Sequence, residues 1–151
     1  MSQIEFLPTS TAPAENAETT VSAREAMVKL LQLEGCKPRL DADGDIVFEL
    51  RELTFLLLFD AREPEYIRLL LPNFCAVGTD AERAAAYEAA NLSNATSKAA
   101  KVTIERGQTH AAVETFVASA YHVLPVLLRC AGALEHGARS FATAYGLIRR
   151  R

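Results

Sequence analysis

Apolar positions change their period along this chain, and each change marks an element. Ala23, Met27, Leu30 and Leu31 recur at helical spacing, with Lys29 and Gln32 on the opposite side. Ser22-Ala-Arg-Glu25 before them has the capping-box form, and Gly35 supplies the stop. Strands follow. Residues 37–41 lead into Asp43-Gly44, a hairpin signal because both central positions of such turns can need φ > 0. Ile46, Phe48 and Leu50 then alternate with Val47, Glu49 and Arg51, the period of a half-buried strand. Residues 54–60 are apolar on both faces, as a central strand requires. After a turn at 61–64, residues 65–71 form another strand, ended by Pro72-Asn73.

A second capping box, Thr79-Asp-Ala-Glu82, opens a helix predicted to reach Thr96 or Ser97. Residues 101–105 and 110–117 form a hairpin around Arg106-Gly-Gln108. The last helix is predicted to start near Tyr121, with Pro125 in its first turn, and to run towards Tyr145; Gly132 and Gly137 are its weak points. The order is therefore α-β-β-β-β-α-β-β-α. It predicts an α+β domain over residues 21–148, one antiparallel sheet with helices packed on it. Residues 1–20, rich in Thr, Ser, Ala, Pro and Glu, read as a disordered tail, or as a short extended segment that docks Ile4, Phe6 and Leu7.

Composition narrows the function. Of 151 residues 50% are hydrophobic but only 7% aromatic, with no Trp, so the core must be aliphatic. A net charge of −3 provides no broad positive field, and direct nucleic-acid binding is not expected. Residues 1–20 lack the basic start and apolar stretch of a secretion signal. Residues 111–134 are mostly apolar, but Glu114, His122, Pro125 and Arg129 interrupt them, so no membrane span is expected. Cys36, Cys75 and Cys130 are scattered and read as reduced thiols of a cytoplasmic protein.

Few residues invite chemistry. Asp41-Ala-Asp43-Gly44-Asp45 has a calcium-loop look, but a loop with Gly at position six would begin at Arg39 and lack its final Glu, so a turn is the reading. His110, His122 and His136 fall in separate elements without carboxylates at ligand spacing. No phosphate loop, nucleophile elbow or zinc-protease pattern occurs. Catalytic residues, metal and cofactor are therefore all expected to be none. Arg149 to Arg151 read as a solvated helix end.

The second helix carries the candidate interface. Tyr87, Asn91 and Asn94 share one stripe, and Ala85, Ala89 and Leu92 a neighbouring one with small side chains. The asparagines fit caps for strand-edge backbone groups. The alanine stripe fits either close packing on the sheet or the approach of a second subunit. Tyr87, Ala89, Asn91, Leu92 and Asn94 are the candidate dimer or partner residues.

The Asp-x-Asp-Gly-Asp turn, the Ala-Ala-Asn91-Leu-Ser-Asn94 segment and the following Ala100-Lys-Val-Thr-Ile104, in this element order, resemble the YbjN-like proteins of bacteria, sometimes labelled sensory transduction regulators. The same order is similar to the small chaperones of type III secretion, although Glu88-Ala-Ala-Asn91 lacks the paired leucines of their second-helix motif. The resemblance covers residues 22–145. It implies a dimeric, non-catalytic protein that works as a chaperone or regulator by binding a client. An exposed sheet edge or apolar groove would accept an extended client segment. The alternatives are an accessory protein of a nucleic-acid-processing or stress-response system, whose only basic residues of interest are Lys98, Lys101, Arg106 and Arg149 to Arg151, and a small-ligand binder near Tyr87, Asn91 and Asn94.

Overall fold

A computed structural model describes residues 24–60, 62–118 and 122–150. The tail, the Ser22 capping box and the Tyr121 start of the last helix lie outside the described residues. Helix α1 covers residues 24–33. A meander follows: β1 (Arg39–Leu40), β2 (Ile46–Leu50), β3 (Leu53–Asp60) and β4 (Glu63–Leu71). Helix α2 (Asp80–Thr96) crosses to β5 (Lys101–Glu105); β6 (Gln108–Phe116) and α3 (Leu124–Ile148) complete the chain. The strands form one antiparallel sheet in the order β1-β2-β3-β4-β6-β5. The predicted α+β order is what forms.

Local chemistry fixes the helix ends. Cys36 N–H donates to the Leu31 carbonyl (2.9 Å) and Gly35 N–H to that of Gln32 (3.0 Å), the paired bonds of a Schellman stop, with Cys36 and Leu31 both buried. At the start of α2, Glu82 N–H donates to Thr79 Oγ1 (3.2 Å) and Thr79 N–H to Glu82 Oε2 (3.1 Å). Both halves of the capping box are made. Helix α3 runs unbroken through both glycines. Gly137 brings α3 close to Ala100: a Cβ there would meet Ala100 Cβ at 3.3 Å, tighter than ordinary contact.

The turns depart from expectation in two places. The β1–β2 loop is longer than an Asp-Gly turn and spans Asp41 to Asp45. Gly44 N–H donates to the Asp41 carbonyl (3.2 Å), and Gly44 has φ 81 while Asp43 is not in the left-handed region. Asp41 Oδ1 accepts the amides of Asp43 (3.0 Å) and Asp45 (2.9 Å), so this carboxylate holds its own turn together. The β2–β3 hairpin turns on two residues, Arg51 (φ 51) and Glu52 (φ 66), between the paired Leu50 and Leu53. That backbone normally selects Asn or Gly. The turn at 61–64 is tighter than predicted, because β4 already starts at Glu63; Pro64, which has no N–H to donate, falls where the β3–β4 register shifts.

One core joins all three helices to one side of the sheet. Met27 and Leu31 of α1, Ala86, Ala89 and Ala90 of α2, and Leu127, Ala131, Leu134 and Phe141 of α3 are buried with Phe55, Leu57, Ile67, Leu69 and Val113. Each such Leu or Phe contributes about 1.5–3 kcal/mol by leaving water.

Candidate functional site

Helix α2 packs against α3 and the edge strand β5, while α3 itself lies on β4, β5 and β6, and the faces of α2 have different tasks. The inward face is Ala86, Ala89, Ala90 and Ser93, all buried. Ser93 Oγ donates to the Gly137 carbonyl (2.9 Å), so the small-residue stripe lets α2 and α3 approach within one chain. Ala89 is 0% exposed and has no surface for a partner, which corrects its place among the interface candidates.

Asn94 points from α2 to the outer edge of β5. Its Nδ2 donates to the Val102 carbonyl (3.0 Å), and its Oδ1 accepts the Val102 amide (2.7 Å). One amide thus satisfies both backbone groups that Val102 turns away from β6, the capping task that the sequence pattern anticipates. Tyr87 and Asn91 continue the same stripe, and both are exposed. Leu92 belongs to the next stripe, facing the outward seam with α3, and is 48% exposed. The five candidates therefore do not form one surface: one is interior, one clamps an edge strand, two are exposed, and one borders the seam.

The sheet edges leave little for an added strand. β1 has two residues, and Asn94 occupies β5 at Val102. The face away from the helices is the larger feature. Pairing register places Val47, Leu56, Leu70 and Ala112 in one row across four strands. Arg39 and Lys101 stand at its ends. Leu58 lies in the next row, beside Arg68 and Glu114, whose Nε and Oε1 are 3.1 Å apart. Tyr66 and Phe116 pair beyond them, with ring centroids 5.6 Å apart, and Phe116 is 66% exposed. None of Val47, Leu56, Leu58, Leu70 or Ala112 belongs to the core under the helices; Val47 and Ala112 are nonetheless buried and the three leucines half-buried. Burial and the neighbouring Glu114 push the Tyr66 phenol up from its ordinary pKa. Sequence periodicity misses this face, because leucines at 56 and 58 read as the second buried side of a central strand.

At the end of the sheet a hollow of about 460 Å³ is lined by arginines and aspartates in equal number. Arg24 donates to the Phe59 carbonyl (3.4 Å) and lies over its ring, and Arg62 pairs with Asp60. Burial raises the Asp45 carboxyl, although the Phe59 amide and Arg24 pull the other way. The Arg62 amide is the main cause that lowers Asp60. These charges fasten α1 to the strand ends. Burial also raises the Cys36 and Cys130 thiols, which disfavours a thiolate at either. His110, His122 and His136 lie in β6, just before α3, and in α3. Among the described residues no three His, Cys, Asp or Glu side chains gather to hold a metal, and no helix is long and apolar enough to cross a membrane. Arg149 is taken up by Glu82 (2.7 Å) and by the Tyr145 ring beneath it.

No family model matches this sequence, and a search of curated proteins gives no match either.

Proposed function

We propose that this protein is a non-catalytic protein-binding module, a chaperone-like or regulatory homodimer of the YbjN-like kind. The observation that carries the reading is the outer sheet face. A row of Val47, Leu56, Leu70 and Ala112 crosses four strands without belonging to the helix-covered core. Val47 and Ala112 are buried within the row, and what it offers at the surface is half-buried Leu56, Leu58 and Leu70 with the exposed Phe116. An apolar patch of this kind favours a protein partner over a small polar ligand. Arg39 and Lys101 close the row and give the partner a charged rim, where polar groups fix register more than affinity. A client's apolar side chains set on this face meet leucines from two central strands.

Binding through the face differs from strand addition, for which the short β1 and the occupied β5 leave little room. The test compares partners retained from the source organism by wild type, by Leu58→Asp with Phe116→Asp, and by Tyr87→Ala with Asn91→Ala. A partner held by wild type and by the α2 variant, but lost from the face variant, supports the reading. An identical set of partners on wild type and face variant would sink it.

A further inference from the structure

The outward side of the α2–α3 pair is a second surface, independent of the sheet. We propose that a second copy of this chain docks there, helix pair on helix pair, about a two-fold axis that runs along the α2–α3 seam. This rests on the homodimer reading above and names the surface through which the dimer forms.

Two hollows lie along the seam. One, of about 510 Å³, is lined by Leu92 and Thr96 of α2 and by Ser140, Thr143 and Leu147 of α3. The other, of about 430 Å³, is lined by Ala81, Ala84, Ala85 and Glu88 of α2 and by Ile148 and Arg149 of α3. Apart from half-buried Ile148 the seam's walls are small or polar, yet two large apolar side chains stand out from them: Leu92 is 48% and Leu147 58% exposed. Knobs beside hollows on one surface are what an isologous interface needs, since each copy supplies both.

The helices run antiparallel. Glu82 meets Arg149 at one end of the pair, and Ser93 meets Gly137 further along. An axis along the seam therefore lays α2 of one copy over α3 of the other at matching height. Leu92 then faces the hollow beside Ser140 of the other copy, and Leu147 the one beside Ala84 and Ala85. Within the chain Asp80 pairs with Arg83 and Glu82 with Arg149; the axis sets these acids of one copy beside Arg150 at the end of α3 of the other, twice by symmetry.

The helix pair presents a patch roughly 25 Å long and about 20 Å wide, from the helical rise and diameter. Over both copies that is on the order of 1,000 Å², the floor for a specific interface. The association is accordingly reversible, and both outer sheet faces remain free for clients.

The test is sedimentation equilibrium of the full chain over a concentration series, for wild type, Leu92→Glu, Leu147→Glu and Phe116→Glu. Circular dichroism checks that each variant keeps its fold; both leucines are exposed, and a milder Leu147→Ser replaces any variant that does not. Wild type and Phe116→Glu are expected to dimerise alike, while each leucine variant weakens dimerisation at least about tenfold. A dimer indifferent to Leu92 and Leu147 would overturn the seam and leave the homodimer standing. Wild type that stays monomeric throughout the series would overturn both.

Discussion

Strand β3 faces two environments with nearly the same side chains. Phe55, Leu57 and Phe59 point into the core under the helices and are buried; Leu56 and Leu58 point the other way and are half-buried. The difference is not one of hydrophobicity but of what lies opposite: helices on one side, no part of that core on the other. Stability is concentrated on the first face, and the second is the one proposed above for binding.

The sharpest way to break this comparison is to truncate one residue on each face. Phe55→Ala removes a fully buried ring stacked on Phe48 at 5.5 Å and is expected to cost about 3–5 kcal/mol. Leu56→Ala, on the outer face, should cost about 1 kcal/mol, near the average for a point substitution. Urea unfolding of both variants decides it, and equal losses would show that the outer face is core as well.

The α2 asparagines offer a similar contrast at smaller scale. Asn94→Ala leaves the Val102 amide and carbonyl without their partner and is expected to cost about 1–3 kcal/mol. It also bares the β5 edge, so light scattering on storage should rise. Asn91→Ala, at an exposed position, should change stability by less than about 0.5 kcal/mol.

A further effect concerns what keeps the two faces apart. A one-residue slip between β2 and β3 would exchange Phe55 and Leu57 for Leu56 and Leu58. The turn that sets this register is Arg51-Glu52, both left-handed. Glu52→Gly is expected to stabilise the domain by about 1 kcal/mol, read as a shift in urea midpoint at unchanged slope. No gain would mean that interactions of Glu52 itself offset the backbone strain.

These residues also show what can be read from sequence. Helix ends are legible because their signals are local: Thr79 and Glu82 meet within one turn, and Gly35 closes α1 wherever that helix packs. The Asn94 clamp is legible in kind, since an amide on a helix facing a strand has few other uses. The Arg51-Glu52 turn is not, because its strain is tolerated only while β2 and β3 pair along their length. Nor is the assignment of Ala89, whose small side chain suits an internal helix and a partner equally until α3 is placed. The two faces of β3 are indistinguishable for a like reason: alternation needs a polar partner residue, and Leu-Leu-Leu provides none.

Sheet order has a last consequence, for how the chain assembles. Strands β1 to β3 pair only with their neighbours in sequence, so the meander up to β4 closes short loops. Strand β6 must enter between β4 and β5, and the Leu70–Ala112 pair joins segments that α2 and the whole β5–β6 hairpin separate. Closing that long loop carries the largest chain-entropy cost in the sheet. The meander is therefore the part that can form early, and the α2 crossover with its Asn94 clamp holds β5 at the right distance while β6 completes the sheet.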